Sequence, residues 1–390
     1  MLRSLLDIRY LPDLILLVTV LLVQAAGAAL LLWGPAAARS LRVRWAVVLG
    51  FLASASILFL GFLLRFARVN RYFSDWWPAW GSGLALVWAF LSIFLVAAVM
   101  ISRWGLRLRP EHSPARRMFL LSTRAALVFA PAVVTGYGVF IQRFALSLRE
   151  QELKFPGLPK DLEGLRLVQL TDIHLSPFLS ERELARAVDM ANETRAHLAL
   201  VTGDLITTAR DPLDACLRQI ARLRPDGGIF GCLGNHEIYA KAEDYVEKHG
   251  ARLGLRFLRR QAERLQFGGA VLNLAGVDYQ PSRKPYLVGA ERLVAPGSFN
   301  VLLSHNPDVF PVAARQGYQL TIAGHTHGGQ VRVEILHQDV NIARFFTPYV
   351  DGLYRREAAA VFVSRGIGTI GLPARLGAPP EVNLLRLRRG

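Results

Sequence analysis

Cysteine is nearly missing from this 390-residue chain: Cys216 and Cys232 are the only two, and they form no Cys-x-x-Cys pair. So sparse a pair excludes a disulfide framework and suggests no thiolate metal site. Lysine is absent from residues 1–144, which also hold only four acids, Asp7, Asp13, Asp75 and Glu111. The same stretch carries 15 arginines, a net charge of +11, whereas residues 145–390 hold 31 bases and 26 acids, a net of +5. The overall charge of +16 is therefore not distributed as a nucleic-acid-binding surface would be. Its excess lies between apolar segments, where arginine-rich loops orient helices in a bilayer. No nucleic-acid partner is expected. There is no internal repeat at a period of about 20–50 residues, and no low-complexity linker.

Apolar residues are abundant, at 52% of the chain. Four stretches, Leu11–Trp33, Trp45–Leu64, Ala79–Ile101 and about Phe119–Ile141, match the roughly 17–25 residues that cross a hydrocarbon core. Only a helix satisfies its own backbone there as an open segment. Trp33, Trp45, Tyr72, Trp76, Trp77, Trp80 and Trp104 gather at the ends, as in an interfacial aromatic belt. Arg124 and Pro131 weaken the fourth stretch, but Arg124 is near its start and can snorkel. A cleaved signal peptide is the rival for the first, with Arg3 and Arg9 before it and Ala36-Ala37-Ala38 after it; its apolar run exceeds the usual 7–15 residues. A transporter or channel would need polar groups within the spans, and Gln24 and Arg124 are nearly the only ones.

Residues 1–144 are thus expected to form a four-helix transmembrane anchor and residues 145–390 a soluble domain. The pattern changes near Ala145 to short runs rich in Val, Leu and Ile: Leu165–Leu170, Leu198–Thr202, Ile229–Leu233, Leu272–Val277, Asn300–Ser304, Gln319–Ala323 and Val361–Ser364. Helix-like stretches such as Glu181–Arg195 and Leu213–Leu223 fall between them. Buried strands alternating with helices predict an α/β domain.

The ends of these runs carry the chemistry. They read Thr171-Asp172-Ile173-His174, Thr202-Gly203-Asp204, Gly234-Asn235-His236-Glu237, Ser304-His305-Asn306-Pro307 and Gly324-His325-Thr326-His327-Gly328-Gly329-Gln330. Each has a bland reading alone, as a turn, a helix start or a hydrogen-bonded histidine. Together they place Asp172, His174, Asp204, Asn235, His236, His305, His325 and His327, with His337 less clearly, just past strand ends. Ligand crevices of open α/β sheets lie there. A single strand end holding His325-x-His327 is expected to point both imidazoles the same way, because strand side chains alternate with period 2. Imidazole and carboxylate without thiolate suit Mn, Fe, Zn or Ni rather than a structural zinc knot.

In this order, DxH, GD, GNHE, SH and GHTHGGQ resemble the five motifs of the calcineurin-like metallophosphoesterases. The last motif, and the Val363–Pro373 stretch, look like a bacterial, often membrane-associated branch. The resemblance covers about residues 150–390 and implies a two-sheet β-sandwich flanked by helices. It implies that Asp172, His174 and His327 hold one metal, that Asn235, His305 and His325 hold the other, and that Asp204 bridges both. His236 would contact the phosphoryl oxygen and protonate the leaving group. No motif position departs from the pattern. Two divalent ions about 3.5–4 Å apart can clamp phosphoryl oxygens and bring the pKa of a water near neutrality.

A membrane anchor favours a substrate concentrated in the bilayer: a phosphate ester of a lipid or lipid-linked molecule. Alternatives are a UDP-diacylglucosamine-type pyrophosphate hydrolase of lipid A synthesis and a non-catalytic membrane scaffold. The expected location is the bacterial cytoplasmic membrane. The loop after the third span is the most basic, with Arg103, Arg107, Arg109, Arg116 and Arg117, which puts it in the cytoplasm and the catalytic domain outside. Gly366-Ile-Gly368-Thr-Ile-Gly371 spells GxGxxG, but Pro373, Pro379 and Pro380 forbid the helix that a dinucleotide site requires.

Overall fold

The computed structural model describes residues 11–33, 40–65, 72–105, 113–281, 284–335 and 338–390. Arg3, Arg9, Ala36–Ala38, Arg107, Arg109 and His337 lie outside the described residues. The chain divides into two compact units: Met1–Ile141 with Gly371–Ala374, and Gln142–Ile370 with Arg375–Gly390.

The first unit contains helices α1 (Leu11–Leu32), α2 (Leu41–Leu63), α3 (Trp76–Gly105) and α4 (Pro114–Phe140). All four include a segment long and apolar enough to cross a membrane. Three begin before their apolar stretches, because a helix starts at its cap and not at the edge of the hydrocarbon. In α4, Ser113 Oγ accepts from Arg116 N at 3.4 Å and Pro114 takes the first turn. Small residues bring α1, α2 and α3 together. A Cβ on Gly61 would collide with Ala85, and one on Gly27 would stand 3.0 Å from Val96. Between these helices Gln24 Nε2 donates to Ser92 Oγ at 2.8 Å, and Ser54 Oγ donates to Gln24 Oε1 at 2.8 Å. Trp88 Nε1 donates to Ser54 Oγ at 2.7 Å. Gln24, isolated in the sequence, thus spends its amide on neighbouring helices.

The second unit is built on two six-stranded sheets. The first has the order β1 (Ser147–Phe155), β14 (Glu381–Arg389), β2 (Arg166–Leu170), β3 (Leu198–Thr202), β4 (Ile229–Cys232), β5 (Leu255–Phe257). The second has the order β12 (Gly352–Arg356), β13 (Ala359–Val363), β9 (Leu320–Ala323), β8 (Phe299–Leu303), β7 (Ala270–Gly276), β6 (Gln261–Phe267). Strands β2 to β5 are mutually parallel, as are β7, β8, β9 and β13; β14 and the edge strands β6 and β12 run antiparallel to their neighbours β2, β7 and β13. A hairpin of β10 (Arg332–Ile335) and β11 (Gln338–Asn341) stands apart.

Alternation along each strand produces the layers. Leu198 and Leu200 of β3 pack between the sheets with Val301 and Leu303 of β8. Ala199 and Val201 face the other way, onto α5 (Glu181–Glu193) and α6 (Leu213–Ile220). Leu302 likewise turns outward to Val309 and to Ala313 of α9 (Phe310–Gln316). Gln169 brings a polar group into the inter-sheet layer. Gln169 Nε2 donates to Thr202 Oγ1 at 2.8 Å and to the Ala323 carbonyl at 2.9 Å, fastening the two sheets just below the strand ends.

The seven expected strands are all present, Leu198–Thr202 with the expected ends and the others with an end shifted by one or two residues. β1, β5, β6, β10, β11, β12 and β14 were not expected. β1 and β14 pair in register from Ser147↔Glu381 to Phe155↔Arg389, and their outward faces carry charge. Arg386 and Arg388 bond Glu150 and Glu152 at 3.1 and 3.0 Å. A search for continuous apolar runs passes over such a half-solvated strand.

Candidate metal centre

The second unit brings the candidate residues to the C-terminal ends of β2, β3, β4, β8 and β9. Five hold a left-handed backbone: Asp172 (φ 49°), His174 (46°), Asp204 (54°), His325 (77°) and His327 (52°). Each such residue costs on the order of 1–3 kcal/mol, and such strain collects at functional sites. Two motif glycines make room instead of turning the chain. A Cβ at Gly234 would run into Asp204 Oδ1, and one at Gly324 into Asp172 Oδ2.

Three groups result among the described residues, each with its ligand-type atoms within 4.8 Å of one another: the trio Asp172, His174 and His327; the trio Asp204, His305 and His325; and, joining them, His174, Asp204 and His236. In the first, His174 Nε2 lies 3.1 Å from His327 Nε2, which is 3.4 Å from Asp172 Oδ1. In the second, His305 Nε2 lies 3.1 Å from Asp204 Oδ2 and 3.2 Å from His325 Nδ1. Asp204 Oδ2 is also 3.5 Å from His174 Nε2, so the carboxylate of the second trio reaches the first. Asn235 is 6% exposed, and its buried Oδ1 has no hydrogen-bond partner. His325 and His327 serve different trios, which corrects the expectation that alternation points both one way. They follow β9 in a turn with left-handed φ, where strand periodicity no longer applies.

His236 is the second residue of α7 (Asn235–Ala240), a short helix two residues after β4. Its Nδ1 is 2.7 Å from the Thr207 carbonyl, and its backbone N–H donates to Asp204 Oδ1 at 3.0 Å. Tyr239 and Tyr279 stand beside the histidines, their rings 5.5 Å from His236 and 5.6 Å from His325.

Burial sets the protonation of the trios. It lowers His174 to about 3 and His325 to about 4, and takes His327 well below its usual value, leaving neutral imidazoles with lone pairs to offer. Burial raises Asp172 to about 6, with His305 opposing. His305 would also be lowered by burial, but the Asp204 and Asp172 carboxylates raise it to about 10. Burial would raise Asp204 too, but His305 holds it well below the carboxylate range. Facing ring nitrogens, two buried carboxylates and an orphaned amide oxygen make a donor set that fits divalent cations.

Three supporting residues escaped the sequence reading. Glu237 is fully buried and accepts from the backbone N–H of Asp204 (2.9 Å), Leu205 (2.7 Å) and Gly234 (2.8 Å). Its place inside the GNHE motif was the available signal. Arg375 is also fully buried, with Nη2 3.4 Å from His327 Nδ1 and 2.9 Å from the Arg365 carbonyl, and Nε donating to the Gly368 carbonyl at 3.1 Å. Desolvation lowers its pKa to about 10. Asn341 Nδ2 donates to the Gly328 carbonyl at 2.9 Å. The GxGxxG stretch opens no helix; Ile367 N and Gly368 N donate to the Thr171 and Asp172 carbonyls at 3.1 and 2.7 Å.

Residues 165–329 match the family model of the calcineurin-like phosphoesterases. YkuE of Bacillus subtilis, an uncharacterized metallophosphoesterase, is 26% identical over 281 residues, 70% of this chain and 98% of its own length. A transmembrane protein with metallophosphoesterase domain from Danio rerio is 27% identical over 353 residues, 85% of this chain and 79% of that protein. An uncharacterized metallophosphoesterase of Aquifex aeolicus is 28% identical over 271 residues, 66% of this chain and 97% of its own length.

Proposed function

We propose that this chain, whose residues 165–329 form a calcineurin-like phosphoesterase domain, uses two divalent ions to hydrolyse a phosphate ester of a lipid or lipid-linked substrate. The observation that carries the two-ion reading is the Asp204 carboxylate, 3.1 Å from His305 Nε2 in its own trio and 3.5 Å from His174 Nε2 in the other, with the orphaned buried oxygen of Asn235 as a further donor. Asp172, His174 and His327 would hold one ion, Asn235, His305 and His325 would hold the other, and Asp204 would serve both. Mn, Fe, Zn and Ni all suit this donor set. When bound, the ions supply Lewis-acid charge to the phosphoryl oxygens and acidify a water for in-line attack.

The protein's own groups do the rest. The Thr207 carbonyl accepts from His236 Nδ1 and fixes the ring, leaving Nε2 as the nitrogen available to substrate. As the imidazolium, with its Nδ1–H kept on Thr207, His236 would pass its Nε2 proton to the ester oxygen as that leaves and end as the neutral ring, a role worth roughly 10²–10⁴-fold in general. Asp204 Oδ1 receives the backbone N–H of His236, so the bridging carboxylate also positions the acid. Glu237 in turn holds the Asp204 backbone in its left-handed conformation.

Four helices long and apolar enough to cross a membrane support a substrate that lives in the bilayer, since a soluble ester needs no such anchor. The bacterial cytoplasmic membrane is the location we assign, with the catalytic domain on its outer side. The test is a lipid-extract screen: purified full-length protein with Mn²⁺, products followed by mass spectrometry, wild type against Asp204→Ala. A lipid phosphate consumed only by the wild type is the expected result. Turnover of soluble esters with every lipid left intact would refute the lipid reading.

A further inference from the structure

Just past the hairpin of β10 and β11, the turn Ile342–Phe345 carries a group of apolar side chains that the fold does not use. Phe345 and its neighbour Phe346 are 86% and 81% exposed, the most exposed large apolar side chains among the described residues of the second unit, and Ile342 is 55% exposed. The turn is well built. Asn341 caps it, Oδ1 accepting from Ala343 N at 3.0 Å, and Phe346 N and Thr347 N both donate to the Ala343 carbonyl at 3.0 Å. Thr347 Oγ1 donates to Asp308 Oδ1 at 2.5 Å. The same buried Asn341 bonds Gly328, next to His327, so one side chain ties the apolar turn to the metal-ligand turn.

We propose that Ile342, Phe345 and Phe346 insert into the interfacial layer of the lipid bilayer and dock the mouth of the metal centre on the membrane surface. Adjacent phenylalanines left in water are unfavourable, and aromatic side chains settle at a membrane interface. A bilayer is the partner that the rest of the chain points to, because its first unit has four helices long and apolar enough to cross a membrane. The contact gives the Asn341–Gly328 link a use: headgroup phosphates are presented beside a turn that is held to His327. The consequence for turnover rests on the lipid-substrate reading; the contact itself does not.

Depth of insertion tests it. Phe345→Cys and, separately, Phe346→Cys are spin-labelled in the full-length protein reconstituted into lipid nanodiscs. Cys216 and Cys232 are fully buried, so the introduced thiol takes the label. Phe129→Cys in α4 serves as the membrane reference and Lys248→Cys, on the exposed face of α8 (Glu243–Arg252), as the water reference. Oxygen collisions exceeding those of a nickel chelate several-fold, as at position 129, are expected at both test positions. Chelate access equal to that at position 248 overturns the proposal, and so does loss of access to both reagents, the mark of a protein partner. A lipid-buried label in a protein that cleaves no lipid upholds the contact and removes only the lipid-substrate reading.

Discussion

Replacing Glu237 by Gln keeps the shape of a fully buried side chain and removes its charge. The carboxylate accepts three backbone N–H groups, two on Oε2 (Asp204, Gly234) and one on Oε1 (Leu205). An amide keeps one oxygen, best turned toward the pair, and then faces the third donor with its own N–H. Two charge-assisted bonds become neutral ones, about 1 kcal/mol each, and one buried donor is orphaned at about 1–3 kcal/mol. Relief of repulsion between Glu237 and Asp204, which helps burial raise the Glu237 pKa, returns part of this. The net loss is on the order of 2–4 kcal/mol. At about 2–4 °C per kcal/mol for a domain of this size, the apparent Tm falls by roughly 10 °C. Because the lost bonds hold the backbone of Asp204, metal content should fall as well. Thermal unfolding and elemental analysis of the purified variant measure both. A Glu237→Gln protein with wild-type Tm and two retained metal equivalents would refute the assignment of Glu237 as the support of the bridging carboxylate.

Asp204→Ala should lose most bound metal and essentially all phosphoesterase activity; elemental analysis finding two equivalents would contradict the bridging role. His236→Ala should keep its metal and lose turnover, with a smaller loss for p-nitrophenolate, which needs little protonation to leave. Equal losses for good and poor leaving groups count against the acid. A truncated chain beginning at Gln142 should fold without detergent and hydrolyse a soluble ester, because it keeps β1 whole and retains the bond from Gly377 N to Gln142 Oε1 at 2.7 Å. One beginning at Glu150 removes Ser147–Arg149 from the β1–β14 ladder and should be measurably less stable by thermal unfolding. A C-terminal alkaline phosphatase fusion should be active and a fluorescent-protein fusion dark; the opposite pair of readings moves the domain to the cytoplasm.

The spans and the order of the motifs could be read from sequence because each depends on neighbours along the chain. About 20 apolar residues must be helical in a bilayer, and Asp172, Asp204, Asn235, His236, His305, His325 and His327 each sit where an apolar run stops. Sequence spacing could not tell which of them meet. His174 and His327 are 153 positions apart and in contact, whereas His325 and His327, two apart, belong to different trios. The folding of two sheets face to face made that choice, with Gln169 of one sheet bonded to Ala323 of the other. Arg375 is a similar case: it reads as one more surface base, and only burial behind His327 makes it part of the site. β14, with three arginines in its nine residues, reads as a polar tail until it enters the ladder between β1 and β2. Local pattern chose the residue types and the element ends, since hydrophobic periodicity and turn chemistry act over a few positions. Pairing across the sheets, and the desolvation that leaves His174, His325 and His327 neutral, exist only once distant strands exclude water together.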